Sequence, residues 1–407
     1  MTDPRPSPAP AGAPAMVPSA GEARYPRFSS AEFARRFDAA RAMMAREGVD
    51  ILAVYGTSAI ARHNQADVHY LSGFLGNRNN YVLLPPRGDP ILFAQSHNHV
   101  PNAREVAGIE TRWGGVSSAR TVAQVVRASR GPGTLGYVGP VPVHDYLAWR
   151  GELPGWELRD VTGPFRRLRL RKSAEELEWL RRGAALTDAA ITHLIDNVTP
   201  GMREYELGAL VEEAALRGGG LPHLAYISST PQNASDVCVP RQNLSDRTIQ
   251  PGDVINTEIS ASCWGYSGQL HRPIFVRTEP NPLYRTLWDV ALEAYTRCCA
   301  VLRAGATTED VLDAAEVIHA RGLTINDGLL HGFGIGLLPP SVRTRRTVQE
   351  PHAPFVFEQD MCVVVQPNVV TPDERAGMQL GNLLRITATG CECLHGVPIQ
   401  YFVTRRS

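Results

Sequence analysis

Two segments of this sequence end an apolar run on a polar side chain at the same distance from a turn. Gly252-Asp-Val-Ile-Asn-Thr-Glu258 and Asp360-Met-Cys-Val-Val-Val-Gln366 both read turn, strand, polar residue. A polar group at the end of a buried strand must reach a hydrogen-bond partner, solvent or a ligand. Glu258 and Gln366 are therefore expected to point into one cleft shared by two similar halves. A lone carboxylate in such a cleft can take up and release a proton. Gln269 sits in the segment Gly265-Tyr-Ser-Gly-Gln-Leu-His-Arg272 and, with Gln366, can orient a carbonyl, an amine or a water. Because side chains alternate along a strand, His271 shares the face of Gln269. Arg272 is a candidate for substrate binding or, with Arg385 as the alternative, for an ion pair with Glu258.

His331 opens the run His331-Gly-Phe-Gly-Ile-Gly336, where glycines let backbone approach a ligand closely. Tyr226, Asn233 and Arg241 lie on the segment expected to wall the cleft, and a guanidinium such as that of Arg241 suits a substrate carboxylate. The basic loop Arg343-Thr-Arg-Arg346 reads as a solvated surface or an anion site. Cys263 has no evident base beside it, which argues against a nucleophilic thiol. The expected catalytic set is thus Glu258, His331 and His271, with Gln269, Gln366, Arg241, Arg272 and Tyr226 binding substrate.

The elements that must carry these residues can be read from periodicity. A helix pattern runs from Ser29 through Phe33, Phe37, Ala40 and Met44 to Gly48, and the apolar run Ile51–Tyr55 suits a buried strand. Tyr81–Leu84 and Ile91–Phe93 flank a Pro/Gly turn as a hairpin. Arg62, His63, Asp67 and His69 form a polar cluster in this first α/β unit. Ser173-Ala-Glu-Glu176 is a capping box opening the next unit. From there the pattern is two helices then strands, twice over. The second helix is expected from Thr199-Pro-Gly to Gly218, and the strands from Val254 to Ser260 and from Gly265 to Val276. The second helix pair is expected at Leu283 to Leu302 and Thr308 to Ala320. The organisation expected is a disordered Pro/Ala-rich tail over residues 1–24, an α/β domain over 25–165 and a duplicated domain over 166–407.

Composition narrows the class. Of 407 residues, 41 are Lys or Arg and 41 are Asp or Glu, so no net field draws the chain to nucleic acid or an anionic membrane. No stretch of about 18 apolar residues suggests a span, and the amino terminus lacks a secretory pattern. The seven cysteines show no disulfide or zinc spacing, which suggests reduced thiols in a cytoplasmic protein.

Lys172-Ser-Ala-Glu-Glu-Leu, Gln250-Pro-Gly-Asp-Val, the Gly265–Arg272 segment, His331–Gly336 and Val365-Gln-Pro367, in this order and spacing, resemble the pita-bread superfamily of methionine aminopeptidases, prolidases, aminopeptidase P and creatinase. The region around Val68-His-Tyr-Leu-Ser-Gly-Phe74 is similar to the creatinase and prolidase N-terminal domain, so the resemblance covers about residues 30–407. It implies an α+β protein: a creatinase/prolidase-like N-terminal α/β domain followed by a pita-bread domain with pseudo-twofold internal duplication. Metal-dependent members hold two divalent ions with two Asp, one His and two Glu. Those positions fall here on Glu258, Gln269, His331, Gln366 and Gly381. Neutral amides are weak ligands that cannot balance the charge of two dications. The family's second histidine falls on Leu338, and the one before the first metal strand falls near Arg241. The resemblance therefore implies a metal-independent, creatinase-like enzyme that hydrolyses a C–N bond in a small amino-acid-derived substrate by Glu/His acid–base chemistry. The alternatives are a non-catalytic binding homologue and an Xaa-Pro-type metallopeptidase with unusual ligands. No cofactor is expected, a single divalent metal being the alternative; a small-molecule substrate and a homodimer are the expected partners, without nucleic acid or membrane.

Overall fold

The computed structural model describes residues 25–57, 62–348 and 353–404, so the expected disordered tail lies outside the described residues. Helix α1 (Ser30–Glu47) starts where the Ser29 hydroxyl accepts the Glu32 N–H, and it ends at Gly48 in the left-handed conformation. Strands β1 (Ile51–Gly56), β2 (Asn80–Leu84), β3 (Ile91–Ala94), β4 (Glu110–Trp113), β5 (Thr134–Val138) and β6 (Glu157–Asp160) form a mixed sheet in the order β4-β3-β2-β1-β5-β6. Helices α2 (Ala66–Ser72), α3 (Val100–Ala107), α4 (Ser118–Ser129), α5 (Val143–Glu152) and α6 (Thr162–Arg167) complete this layer. The unbroken apolar run of β1 has a direct cause. Leu52 and Val54 pack with Met43 of α1 and Leu71 of α2, whereas Ile51, Ala53 and Tyr55 pack with Val122 of α4 and Trp149 of α5. A strand covered on both faces has no polar side.

The second layer opens at α7 (Ala174–Asn197), where Ser173 and Glu176 form the expected reciprocal capping box. The next helix, α8 (Glu204–Arg217), starts later than Thr199, because Pro200-Gly201 makes a turn in which Gly201 has φ 95°. Strands β7 (Leu221–Pro231) and β8 (Asp253–Cys263) follow as a long antiparallel pair. The strand expected over 265–276 is broken into β9 (Tyr266–Ser267), β10 (Leu270–His271) and β11 (Ile274–Phe275), each pairing with β8. Pro273 has no N–H to give a ladder, and the Gln269 carbonyl is instead held by the ring of His395.

Helices α9 (Pro282–Val301) and α10 (Thr308–Ala320) repeat the α7–α8 pair. Strands β12 (Leu330–Gly334), β13 (Gly336–Val342), β14 (Cys362–Val365), β15 (Asn368–Val370), β16 (Gly377–Gln379), β17 (Gly381–Ile386), β18 (Cys391–Cys393) and β19 (Phe402–Val403) then complete the chain. The large sheet runs β13-β12-β14-β17-β10-β8-β11-β19, so β10 and β17 join the two halves at its centre. Each half has its own helix-backed core, Leu194, Leu207, Ile255 and Ile259 in the first and Leu287, Leu312, Val363 and Leu384 in the second. Among the described residues, no helix is long and apolar enough to cross a membrane.

Candidate active site

Alternation along β8 places Asn256, Glu258 and Ser260 on one face, opposite the face that Ile255 and Ile259 turn to the helices. Five residues from four places in the chain meet on the polar face. Gln269 Nε2 donates to Glu258 Oε1 at 2.5 Å and to Gln366 Oε1 at 3.4 Å. His331 Nε2 stands 3.1 Å from the same Gln366 oxygen, and its Nδ1 lies 3.2 Å from the Gly332 carbonyl. Burial pushes the His331 imidazole below its ordinary range, outweighing the opposite effects of the Gly332 carbonyl and the Glu258 charge. His271 Nε2 is 3.8 Å from Glu258 Oε2.

His271 is fully buried, and neither ring nitrogen has a hydrogen-bond partner among the described residues. It pairs across the strands with Gly381, where an added β-carbon would stand 2.6 Å from His271 Nδ1. The ring thus fills the space into which a side chain at position 381 would project. Glu258 is the group of this cluster that solvent reaches most readily, with 14 % of its side chain exposed against 0 % for His271.

Spacing arguments missed several groups. Asp327 Oδ2 accepts from Gln366 Nε2 at 3.2 Å and from Gln379 Nε2 at 2.9 Å, so a second carboxylate borders the cluster. Asp327-Gly328 reads as a turn, and the only signal was an acid four residues before His331. Asn256 falls two residues from Glu258 on β8, so strand alternation could have found it, whereas Gln379 ends β16, ahead of Gly381 on β17. Their Oδ1 and Oε1 atoms are buried and have no partner among the described residues. Behind the cluster, His395 Nδ1 contacts Asp188 at 2.7 Å while Nε2 is 3.0 Å from the Gln269 carbonyl, which fixes that residue's backbone.

Other expected residues do not join the cluster. Arg272 is buried on the opposite face, with its donors directed at the His271, Gly381, Val397 and Pro398 carbonyls and Asn382 Oδ1, so it has none to offer a substrate. Nor does it pair with Glu258, and Arg385 pairs with Asp360 and Glu392 instead. Arg241 is exposed, whereas Cys238, three residues earlier, is buried and its carbonyl accepts Asn368 Nδ2 at 3.1 Å. Tyr226 faces Glu258 in register across β7 and β8, and burial followed by the Glu258 charge pushes its phenol up. Asn233 contacts Asn281 at the start of α9. Arg345 and Arg346 pair with Glu309, Asp313 and Glu316 of α10. Burial pushes the Cys263 thiol up, the wrong direction for a nucleophile. Of the N-terminal polar cluster, Asp67 pairs with Arg169 at 2.6 Å and His69 is buried between the two layers; the Arg62 and His63 side chains lie outside the described residues.

Residues 178–388 match the family model of metallopeptidase family M24, and residues 36–171 match that of the creatinase/prolidase N-terminal domain. The chain belongs to metallopeptidase family M24. This M24 protein is 24 % identical over 413 residues to the creatinase of a Bacillus species, covering 94 % of this chain and 95 % of that protein. It is 22 % identical over 332 residues to an Xaa-Pro dipeptidase of Pyrococcus horikoshii, covering 81 % and 90 %. The crystal structure of an X-Pro aminopeptidase from Thermotoga maritima superposes with a TM-score of 0.76 at 20 % identity, covering 90 % of this chain and 99 % of that one. The fold is that of prolidases and aminopeptidases P. M24 proteins typically hold divalent metals, which makes the donor set decisive. Among the described residues, no group of three or more His, Cys, Asp or Glu side chains is arranged to hold a metal ion. At the cluster's centre, the Gln269 amide turns N–H donors, not lone pairs, towards Glu258 and Gln366. These residues do not fit a pair of divalent ions.

Proposed function

We propose that this M24 hydrolase cleaves a C–N bond in a small amino-acid-derived substrate without a metal, with Glu258 and His271 exchanging protons. The observation that carries this reading is the amide of Gln269 at 2.5 Å from Glu258, in the space that a cation bound to that carboxylate would need. His331 is already engaged with Gln366, whereas neither His271 nitrogen has a hydrogen-bond partner among the described residues. An unsatisfied buried polar group costs about 1–3 kcal/mol, a cost that ligand or water in the cleft would offset. Asn256 Oδ1 and Gln379 Oε1, acceptors without a partner among the described residues, complement N–H groups of an amino-acid derivative. In the proposed reaction, a water oxygen bonds to the carbon while its proton passes to the Glu258 or His271 base. The C–N bond then breaks and the nitrogen leaves with a proton from the same pair, so nothing beyond water is consumed. Gln269 and Gln366 position the substrate, and Tyr226, in register with Glu258, walls the cleft. We also take the protein to be a homodimer and to be cytoplasmic, the seven free cysteines agreeing with the second of these.

Elemental analysis of protein purified without a metal-affinity tag tests the proposal at its root. No stoichiometric manganese, cobalt or zinc is expected, and turnover of amidino, ureido or amide amino-acid derivatives should persist in chelator. Glu258→Gln should remove that turnover and leave the thermal transition unchanged. Two equivalents of tightly held metal, with Xaa-Pro cleavage lost on chelation, would establish instead the peptidase activity named in the relatives.

A further inference from the structure

Asp327 stands outside the acid–base set, yet among the described residues its carboxylate makes three hydrogen bonds, all from N–H donors: Gly328 N at 2.6 Å, Gln379 Nε2 at 2.9 Å and Gln366 Nε2 at 3.2 Å. A carboxylate only accepts, so each amide beside it must present its NH2 group. For Gln366 this decides the orientation of the whole amide. Turned over, its oxygen would face Asp327 Oδ2 and the Gly328 carbonyl, 3.5 Å from the present nitrogen, while its nitrogen would face the Gln269 amide nitrogen. Every one of those contacts would be like against like. Gln366 Oε1 is thereby held towards His331 Nε2, which can bond to it only by carrying a proton.

We infer that Asp327 is a positioning residue which, through Gln366, sets His331 in the tautomer protonated on Nε2. The Nε2–H ring meets the Gly332 carbonyl at 3.2 Å with a bare Nδ1, whereas the competing tautomer donates Nδ1–H to that carbonyl and meets Gln366 Oε1 at 3.1 Å with a bare Nε2. The competing tautomer becomes fully satisfied only if Gln366 turns its nitrogen to that bare Nε2, and this is the rotation Asp327 opposes. The cleft then receives from His331 a hydrogen-bond donor, whereas a metal ligand at that atom would need the lone pair. This inference rests on the metal-free reading given above, and it extends that reading to a residue outside the family's ligand positions.

The test is nitrogen-15 and carbon-13 NMR of the His331 ring in the full-length protein at alkaline pH, assigned with His331→Asn, with metal content measured on the same sample. Wild-type protein is expected to show the Nε2–H form. In Asp327→Asn an amide that keeps its oxygen on Gly328 N turns its NH2 to the two glutamines, so Gln366 is released and the ring should shift to Nδ1–H. Gln366→Met, which removes the acceptor while leaving Asp327 in place, should produce the same shift. A metal-free wild-type ring in the Nδ1–H form overturns the inference alone, whether or not either variant folds. An Nε2–H ring unchanged in both variants does the same. Metal bound at Nε2 would overturn this inference and the metal-free reading together.

Discussion

An alanine β-carbon at position 381 would lie 2.6 Å from His271 Nδ1 and 2.7 Å from the Val365 carbonyl, and one of these neighbours has to move. Overpacking of this kind costs roughly 1–3 kcal/mol. Gly381→Ala is therefore expected to lower stability in urea titration, and Gly381→Ala combined with His271→Ala should lose less than the sum of the single changes. Additive losses would show that the ring and the glycine do not share that space. At this scale the sequence revealed which residues are polar on strand ends, and Glu258, Gln269, His331 and Gln366 do meet. It could not reveal why position 381 is glycine, because the reason is a cross-strand neighbour 110 positions earlier in the chain. Asp327 escaped for a related reason: an Asp-Gly pair carries a turn signal that hides any second role.

Elements whose ends are marked locally were legible. The capping box at Ser173 fixes the start of α7, and its reciprocal bonds are both formed. Ser173→Ala should cost about 1 kcal/mol, read as a lower denaturation midpoint with an unchanged slope. A neutral result would mean that tertiary contacts of α7 suffice without the cap. Elements whose continuity depends on distant partners were less legible. The pattern over 265–276 is that of one strand, and three short pieces result because Pro273 lacks a donor and Gly268 backs directly onto α7 at Ala184. The α8 start was misplaced because the Thr-Pro-Gly signal marks the turn before the helix rather than its first turn.

Between the two layers of the molecule, His69 is fully buried against Phe28 and Tyr266, neither nitrogen having a partner among the described residues, and burial, reinforced by Arg36 and Arg169, pushes it well below its ordinary pKa. Its depressed folded value means that the unfolded chain binds a proton first as pH falls. The contribution of neutral His69 is thus complete above an unfolded pKa of about 6.5 and declines below it. His331 shifts in the same direction and adds to the effect. Thermal stability should fall as pH drops below about 6.5, and less steeply in His69→Phe. A slope that His69→Phe leaves unchanged would assign the acid sensitivity elsewhere. The same junction holds Arg36 against Glu176 at 3.4 Å and Tyr266 at 3.2 Å, and stacks Phe28 on Trp179 at 4.1 Å. Severing the chain ahead of α7 would leave Glu176 without its guanidinium and Trp179 without its cover. Each fragment would then turn to water an apolar and charged face that the intact molecule keeps dry, and the two pieces are expected to re-associate through it.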